Sequence, residues 1–543
     1  IGVKKACEEW IDEQFELPTS YHLPTIENML QSHGSNNVDP NSHVTRYRYH
    51  AFNHNAVAAP DQLKQRVAWA LSQILVISDV NNSFGDRALN RDGVPHWLGP
   101  TSYYDNLLKA TTGNFRDLLT DVTLHPVMGH YLSHLRNTKA NPDTGSFPDE
   151  NFAREIMQLF TIGLYELQRD GRPRLDDDGN LIPTYDNETI KSLARVFTGL
   201  TYSRADYFWY GDPRDFVNPM EMWEEHHDTG EKTLLSGTVL PAHDGEPGDG
   251  MADIHAALDN LFDHPNVGPF IARRLIQHLV RSNPSRGYIR RVADAFDGRR
   301  SGVRGDMVAT IKAVLLDPEA WRGTRGRRAR EPLRYEVTPR GTAFGRFREP
   351  MLQYFALVRA MEATATYDER DSAWFVLPRT QYDLDQSPFG APSVFNFYLP
   401  DYQPPGPLAG EKPPRRLPND RYFAPEFMML SPVLNNRIAN RFRWEIYNDG
   451  GSFTHWGPNN NHHTSRLRFN YGPLYKLLND DRDALLARLD LVLCQGSMPE
   501  STKVAIKDAL DAIQLEAPWT DEQDRLKAIL TTVIYSPSFV IAK

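Results

Sequence analysis

The sequence predicts a mainly α-helical protein: one large multi-helix domain with a small β hairpin or sheet inserted in it. Two observations favour this class. Apolar residues recur at three- and four-residue intervals in most segments between the loops, which is the period of an amphipathic helix. The apolar faces also continue along the chain without a linker of clearly different composition. We therefore expect a single helical domain over residues 1–543.

The predicted helices follow one another along the chain, each with an apolar face at helical spacing. They cover residues 2–16, 23–33, 60–78, 101–111, 114–123, 126–137, 149–163, 187–199, 251–263, 268–281, 287–297, 304–316, 348–364, 425–444, 480–495, 500–513 and 520–536. The helix at 60–78 has a strong start signal in Pro60-Asp61 and a regular core face.

Other segments lack this period. Loops, marked by clusters of polar and turn-forming residues, are predicted at 35–59, 80–100 and 449–472. Residues 201–250 are aromatic and acidic with a strand-like run at 233–240, so we expect a loop and strand insertion there. A hairpin tip is predicted at 175–182, where Asp178-Gly179 stands between apolar residues. Residues 374–420 are rich in proline and predict an irregular segment packed across the surface.

The predicted helix at Asp149–Gly163 is the one that carries polar residues in helical order. Asp149 and Ser146 suit its N-cap, and Gly163 is its predicted stop. Asn151, Glu155 and Gln158 fall on one stripe beside the core face. If this stripe is buried, its polar atoms need partners. It is then either a structural hydrogen-bond network or the floor of a polar pocket with Glu155 as an acid or base.

Charges next to this stripe offer partners for Glu155. Glu150 and Arg154 lie four residues apart, where opposite charges pair on a helix. Glu150 and Glu155 point in different directions on a helix, which disfavours them as a catalytic pair. The candidates for a second catalytic carboxylate are Asp149 and the acidic run at 221–228, with Glu150 kept beside them.

The run at 221–228 combines three glutamates with histidines and an aspartate. Candidate substrate-binding residues in and beside it are Trp209, Trp223, His227 and Asp228. Carboxylate pairs cleave glycosidic bonds, and aromatic faces stack on sugar rings. The alternative is a solvated acidic loop whose tryptophans pack on the body of the protein.

Two histidines share the predicted helix at 126–137. His130 and His134 are four residues apart, which is metal-ligand spacing. The glutamate that catalytic zinc motifs place between them is absent, so we predict no metal and keep His134 as a candidate substrate-binding residue.

Composition argues against several classes of function. A net charge of −10 disfavours a nucleic-acid-binding protein, which normally carries a basic surface. No apolar run reaches the roughly 18 residues that a membrane span needs. Fingerprints for nucleotide, nicotinamide and serine-hydrolase chemistry are missing, so we predict no cofactor. Cys7 and Cys494 either form a disulfide or are buried thiols.

Several segments resemble one family. They are Asn151–Gly163, His125–Gly129 with Tyr131–His134, Ala194–Gly199, His227–Gly230, Pro265–Phe270 and Ser387–Asn396. Together they resemble the signature of a large bacterial family known only as domain of unknown function number eighteen hundred, over nearly the whole chain. The resemblance implies a largely helical, exported protein, periplasmic or extracellular, often encoded beside a sulfatase-like or phosphatase-like exported protein. It implies no established activity.

The sequence therefore leaves three functions open. The first is an exported glycoside hydrolase that cleaves a polysaccharide or oligosaccharide, with Glu155 as acid or base and Arg154 or His134 tuning it. The second is a polysaccharide lyase with a tyrosine or histidine base. The third is a non-catalytic exported scaffold that binds a sulfatase-like partner. In either enzyme, Asn151 and Gln158 are expected to contact the carbohydrate.

Overall fold

Helices make up most of the structure, a computed structural model that describes residues 3–32, 43–80, 89–210, 214–299, 301–322, 345–368, 370–372, 374–377, 380–405, 422–456, 462–512 and 522–542. The α-helices are α1 (Val3–Glu16), α2 (His22–Ser32), α3 (Tyr47–Ala58), α4 (Gln62–Ser72), α5 (Gly99–Ala110), α6 (Phe115–Leu124), α7 (Pro126–Tyr131), α8 (Asn151–Glu155), α9 (Asn187–Val196), α10 (Asp249–Asp263), α11 (Val267–Leu279), α12 (Arg286–Phe296), α13 (Met307–Leu315), α14 (Pro318–Arg322), α15 (Pro350–Ala360), α16 (Thr380–Leu384), α17 (Pro432–Tyr447), α18 (Gly472–Asp480), α19 (Arg482–Cys494), α20 (Glu500–Ala512), α21 (Glu522–Ile534) and α22 (Pro537–Val540). The predicted mainly α class is confirmed.

The strands are short. They are β1 (Leu200–Thr201), β2 (Glu221–Met222), β3 (Lys232–Thr233), β4 (Val239–Leu240), β5 (Arg346–Phe347), β6 (Thr364–Tyr367), β7 (Arg370–Ser372), β8 (Ser452–Trp456), β9 (His462–Arg468) and β10 (Ile541–Ala542). An antiparallel four-stranded sheet has the order β7-β6-β9-β8, and the other strands pair as β1 with β2, β3 with β4 and β5 with β10.

The prediction of a small sheet within 201–250 is confirmed, although its details differ. The run at 233–240 is a tight hairpin in which Lys232 pairs with Leu240, with a 3-10 turn between β3 and β4. The predicted hairpin at 175–182 is present, with Leu175 opposite Leu181 and Gly179 at a positive φ of 84°.

Two predicted loops are wrong in part. The loop at 35–59 contains α3, and the loop at 449–472 contains β8 and β9. Residues 33–42 and 457–461 of those loops, like 81–88 of the loop at 80–100, lie outside the described residues. The predicted helix at 126–137 is too long, because α7 ends at Tyr131 and Ser133 then takes a φ of 66°.

One continuous cluster of buried apolar residues runs from Ile11 in α1 to Phe539 in α22. α4 lies within it, with Val67 and Leu71 fully buried, and packs against α5 and α11. α11 also packs against α12 and α13. The body of the protein is thus built from helices that bury apolar faces against one another.

The described part of the proline-rich segment, 374–377 and 380–405, also contributes to this core. Val376, Phe389 and Tyr398 are buried. Residues 378–379 and 406–421 lie outside the described residues.

The two cysteines do not form the disulfide that was one of the two expectations. Cys7 and Cys494 are both free cysteines, and Cys494 is buried.

Among the described residues, no helix has the length and apolar content that crossing a membrane requires.

The central predicted helix changes type halfway. α8 continues from Glu155 into a π-helix over Ile156–Thr161, a wider turn that is found frequently at functional sites. The π-helix stops at Gly163, whose φ is 74°, as the sequence predicted. α8 begins at Asn151 with Glu150, rather than the predicted Asp149, at its N-cap; Asp149 Oδ1 accepts a hydrogen bond from the backbone N–H of Asn151 at 2.8 Å.

Candidate functional site

A cavity of about 820 Å³ lies between the segment that leads into α8, one face of α9 and the chain around β3. We call it the α8–α9 cavity. It is lined by Ala140, Phe147, Pro148, Glu150, Asp186, Glu188, Thr189, Lys191, Ser192, Arg195, Asp228, Glu231 and Thr233. This size lies in the range of ligand-binding pockets, about 300–1,000 Å³.

One face of α9 supplies much of the polar lining. Glu188, Lys191, Ser192 and Arg195 recur at helical spacing and therefore point the same way. Asp186 fixes the start of the helix, since its side chain accepts a hydrogen bond from the backbone N–H of Thr189 at 2.8 Å.

Arg195 and Asp228 form a two-point ion pair at the wall of the cavity. Arg195 Nε donates to Asp228 Oδ2 at 2.9 Å, and Nη2 donates to Oδ1 at 2.8 Å. Burial raises the pKa of Asp228, but the hydrogen bonds from Arg195 outweigh it and hold that pKa below its usual value. Asp228 is therefore an ionised, oriented carboxylate at neutral pH.

A buried charge cluster lies behind Asp228. Lys232, with 0% of its side chain exposed, places Nζ 2.6 Å from Asp253 Oδ2. The Nε2 atoms of His227 and His243 both lie 3.3 Å from the same oxygen. Burial raises the pKa of Asp253, yet these hydrogen bonds and the Lys232 charge lower it to about 2.

This cluster has the donor set of a small metal site. Single ligand atoms of His227, His243 and Asp253 lie within 4.8 Å of one another. His227 Nδ1 donates to the carbonyl of Thr198 at 2.9 Å, as metal-binding histidines commonly do. The Lys232 ammonium, however, already bonds the oxygen that a metal needs. A metal ion has to displace Lys232, so the residues fit a buried ion pair better than a metal centre.

On the opposite wall, Glu150 pairs with Arg154. Arg154 Nη2 lies 3.1 Å from Glu150 Oε2, the predicted four-residue pair. Glu150 lines the cavity. Its partner Arg154 lies on α8, directly before Glu155. Asp149 stays at the surface just before α8 and accepts a hydrogen bond from the backbone N–H of Asn151.

Glu155 is the most unusual acid of this region. It is only 7% exposed, and its Oε2 is buried without a hydrogen-bond partner. Burial raises the pKa of the carboxyl, and the Arg154 charge opposes this effect. The carboxyl therefore holds its proton to a higher pH than an exposed glutamate does.

Two tyrosines lie within electrostatic reach of Glu155. Burial, together with the charge of Glu155, raises the pKa of Tyr131 to about 12. Burial likewise raises the pKa of Tyr185 to about 12, and the Tyr185 hydroxyl is buried without a hydrogen-bond partner. The predicted stripe is thus largely buried at Glu155, where Glu155 Oε2 and the Tyr185 hydroxyl lack a hydrogen-bond partner among the described residues.

The structure separates other predicted residues from Glu155. Asn151 is exposed, and Gln158 lines a different cavity on the far side of the π-helix. His134 is not on a helix; its ring stacks on Phe152 at 3.8 Å, and its Nε2 donates to the carbonyl of Thr123 at 2.8 Å. These contacts give His134 a packing role.

The aromatic residues of the acidic run also lie elsewhere. Trp209 and Trp223 gather around His226, whose ring stacks on Phe208 at 3.8 Å. None of these four lines the α8–α9 cavity.

Most carboxylates of the acidic run bond to nearby groups. Glu221 accepts from the Ser203 hydroxyl at 2.8 Å. Glu224 accepts from two backbone N–H groups, those of Gly248 and Gly250, at the start of α10. Of this run, Asp228 is the carboxylate that reaches the cavity.

The chain matches a family model described as protein of unknown function (DUF1800) over residues 3–541, nearly its whole length. It belongs to this family. No curated protein and no solved structure matches the chain.

Two of the segments that resemble the DUF1800 signature line this cavity. Ala194–Gly199 contributes Arg195, and His227–Gly230 contributes Asp228. The segment Asn151–Gly163 contributes no lining residue, but its α8 packs against α9.

Sequence reasoning missed four residues of the site. Arg195 lies in a segment quoted for the family resemblance, but no role was predicted for it. Lys232, Asp253 and Tyr185 belong to no motif, and their contacts join residues that are distant along the chain. A buried lysine shows no signal in a single sequence.

Proposed function

We propose that this chain is an exported carbohydrate-active hydrolase that cleaves a polysaccharide or oligosaccharide at the α8–α9 cavity by carboxylate acid and base catalysis. The observation that carries the proposal is the Glu155 carboxyl, buried with an unpartnered oxygen and a raised pKa. It follows Arg154 on α8, and Arg154 pairs with Glu150, a residue of the cavity lining. Glycoside hydrolysis needs one carboxylic acid and one carboxylate in contrasting environments.

The residues divide into these two roles. Glu155, whose pKa burial raises, acts as the general acid that protonates the leaving oxygen. Asp228, ionised and oriented by Arg195, acts as the nucleophile or the base, with Glu150 as the alternative carboxylate. Because Glu155 is 7% exposed, the proposal requires a shift of the π-helical turn that opens a path from the cavity to its carboxyl.

The lining of the cavity is suited to a sugar. Phe147 stands at its edge with 81% of its surface exposed and offers a ring face for stacking. Charged side chains from α9 supply hydrogen-bond donors and acceptors for hydroxyl groups. An apolar face beside several polar groups is the usual composition of a carbohydrate-binding pocket.

The other two functions receive less support. A lyase needs a base, and burial raises the pKa of both Tyr131 and Tyr185 to about 12, which opposes loss of their protons. A scaffold that binds a sulfatase-like protein has no use for Glu155, whose buried oxygen lacks a hydrogen bond. Such an unpaired buried oxygen lowers the stability of the fold.

The test is a product screen with a matched control. The parent, Glu155→Gln and Glu13→Gln, an isosteric change at an exposed position on α1, are incubated with neutral and acidic polysaccharides and analysed by mass spectrometry. We expect new oligosaccharides, heavier by one water per cleavage, from the parent and from Glu13→Gln only. Products without added water would establish elimination, and equal activity of Glu155→Gln would overturn the proposed acid.

A further inference from the structure

A second cavity, of about 350 Å³, lies on the other side of the π-helix. Its walls come from the end of the π-helix, from α11 and from the chain around Tyr398. Gln158 contributes to it, whereas no residue of the α8–α9 cavity does. We call it the α11 cavity. Its volume suits a small molecule rather than a polymer chain.

Two consecutive arginines of α11 line this cavity without an acceptor. Arg273 and Arg274 form no hydrogen bond and no ion pair with any residue in the described ranges. Their nitrogen atoms are not among the sealed polar atoms, so they face the cavity space. Arg281, just after α11, shows the usual arrangement, since it bonds the carboxylate of Glu319 at 3.0 Å.

Aromatic rings hold both guanidinium groups in place. Arg273 lies 5.3 Å from the centre of the Phe423 ring, and Arg274 lies 5.0 Å from that of Phe270. Such contacts orient the planar groups but leave their N–H donors free. The donors are therefore preorganised for a planar or tetrahedral anion.

The local charge balance leaves an excess of positive charge. Asp401 is the only acid among the lining residues that the structure describes, against two arginines. Burial and the neighbouring charge of Arg273 lower the pKa of Arg274 to about 9, against the opposing effect of Asp401. A bound anion removes the unfavourable proximity of the two cations.

The rest of the wall is apolar and partly open. Phe270 and Leu159 contribute apolar surface inside, and Phe395 and Leu164, each 47% exposed, stand at the edge. Exposed apolar residues around a charged pocket are typical of a binding site for a ligand with an apolar body.

We propose that the α11 cavity binds a small organic anion, a carboxylate or phosphate monoester with an apolar body, whose charged group Arg273 and Arg274 grip together. Its apolar body lies against Phe270 and the residues at the edge. The site is separate from the proposed catalytic cavity and does not depend on it.

Titration calorimetry tests whether the α11 cavity binds such an anion. Four probes separate the contribution of the ligand's charged group from that of its apolar body. Benzoate and phenyl phosphate carry both an anion and a ring, benzyl alcohol lacks the charge, and inorganic phosphate lacks the ring. We expect at least one of the first two to bind with a Kd below about 1 mM, and the last two to bind at least about tenfold more weakly. Whichever of the two anions binds more tightly identifies the charged group.

Variants locate the binding. Arg273→Gln and Arg274→Gln should each weaken binding about tenfold or more, whereas Arg290→Gln, an exposed position on α12, should leave it unchanged. In the unsubstituted protein, the bound anion should protect Arg273 and Arg274, but not Arg290, from phenylglyoxal, read by peptide mass spectrometry. This second measurement needs no variant to fold.

Three results would overturn the proposal. The first is that neither anion binds with a Kd below about 10 mM. The second is that benzyl alcohol and benzoate bind with the same Kd, and the third is that a bound anion does not protect the two arginines from phenylglyoxal.

Discussion

A buried carboxyl with an unpartnered oxygen is more stable protonated than ionised, because burial removes the water that stabilises its charge. Glu155 is such a group, and only the Arg154 charge opposes its raised pKa. Glutamine has nearly the same shape as the protonated acid. The pH dependence of stability therefore separates a buried acid from one that is paired.

We expect Glu155→Gln to become more stable than the parent as the pH rises. The folded parent retains a proton that the unfolded chain releases, so the parent loses free energy of unfolding from the usual carboxyl pKa up to the raised one. The variant has no such titration. Urea unfolding from about pH 4 to about pH 8 measures the difference, with Glu13→Gln as control. A difference that stays constant or falls with pH would show that Glu155 is paired.

Lys232 allows a second prediction at this scale. Replacing it with methionine leaves Asp253 without its closest cation, so we expect a loss of about 3–5 kcal/mol in the free energy of unfolding. Lys191→Met is the matched control, because Lys191 is exposed in its pair with Glu188 and its replacement should cost much less stability. Equal losses in urea unfolding would mean that the buried pair contributes no more than a surface pair.

At the scale of elements, the π-helix is the segment that most affects the site. Its wider turn breaks the 100° spacing beyond Glu155, so Gln158 leaves the predicted stripe and lines the α11 cavity. Asn151 and Glu155 both lie on α8, where Asn151 is exposed and Glu155 is buried. Gly163 ends the π-helix with a left-handed backbone, and a Cβ added there meets the Phe270 ring at 3.3 Å.

We expect Gly163→Ala to cost more stability than Gly179→Ala. Both glycines have positive φ values, so both alanines are strained by about 1–2 kcal/mol. A Cβ on Gly179 meets nothing within 4 Å, so the extra loss at Gly163 isolates the contact with Phe270. Thermal or urea unfolding of the two variants gives the difference, and identical losses would show that Phe270 moves aside without cost.

Elements with a clear apolar period were predictable from the sequence, and the others were not. Helices such as α10 and α12 bury one face, so their sequences carry the period. α3 buries Tyr47, Arg48, His50 and Asn53 as well as Phe52, so polar residues hide its helical pattern. Tertiary packing of these polar and aromatic residues, rather than an amphipathic sequence pattern, stabilises α3 as a helix.

The residues of the candidate site also include some that were predictable from the sequence and some that were not. Glu150 and Asp228 were predicted, because acids near a helix start and in an acidic run stand out in a sequence. The partner of Asp228 was not, since Arg195 is 33 residues away along the chain. The unpartnered oxygen of Glu155 was also beyond prediction, because it depends on which groups the tertiary fold places around the carboxyl.

At the scale of the whole molecule, a buried charge network joins distant parts of the chain. Glu349 accepts hydrogen bonds from Trp69 at 3.0 Å and Gln386 at 2.8 Å, and it bonds Arg346. Arg346 also bonds Glu426. Segments from four regions of the sequence thus depend on one set of charges in the core.

We expect the chain to unfold as one cooperative unit, as predicted for a single domain. A continuous core and a shared charge network tie the described helices together, so separating them exposes apolar surface and buried charge. Far-ultraviolet circular dichroism and tryptophan fluorescence should give coincident urea transitions. Two separated transitions would instead reveal independent units.

Glu349→Gln tests the network through its pH dependence. Burial raises the pKa of Glu349, but Arg346 and Arg66 outweigh it and lower the value to about 2. A lowered carboxyl pKa adds stability above the unfolded value near 4.5, and this stability is lost as the pH falls towards 2. The variant lacks the charge, so at pH 7 it should be less stable by on the order of 3 kcal/mol.

The gap between parent and variant should therefore shrink as the pH falls from about 4.5 to about 2, measured by urea unfolding at each pH. Glu13→Gln, at an exposed position on α1, should show no such gap. If Glu349→Gln is as stable as the parent at neutral pH, the attraction of the arginines only offsets the cost of burying Glu349. The network would then contribute a defined arrangement of segments rather than stability.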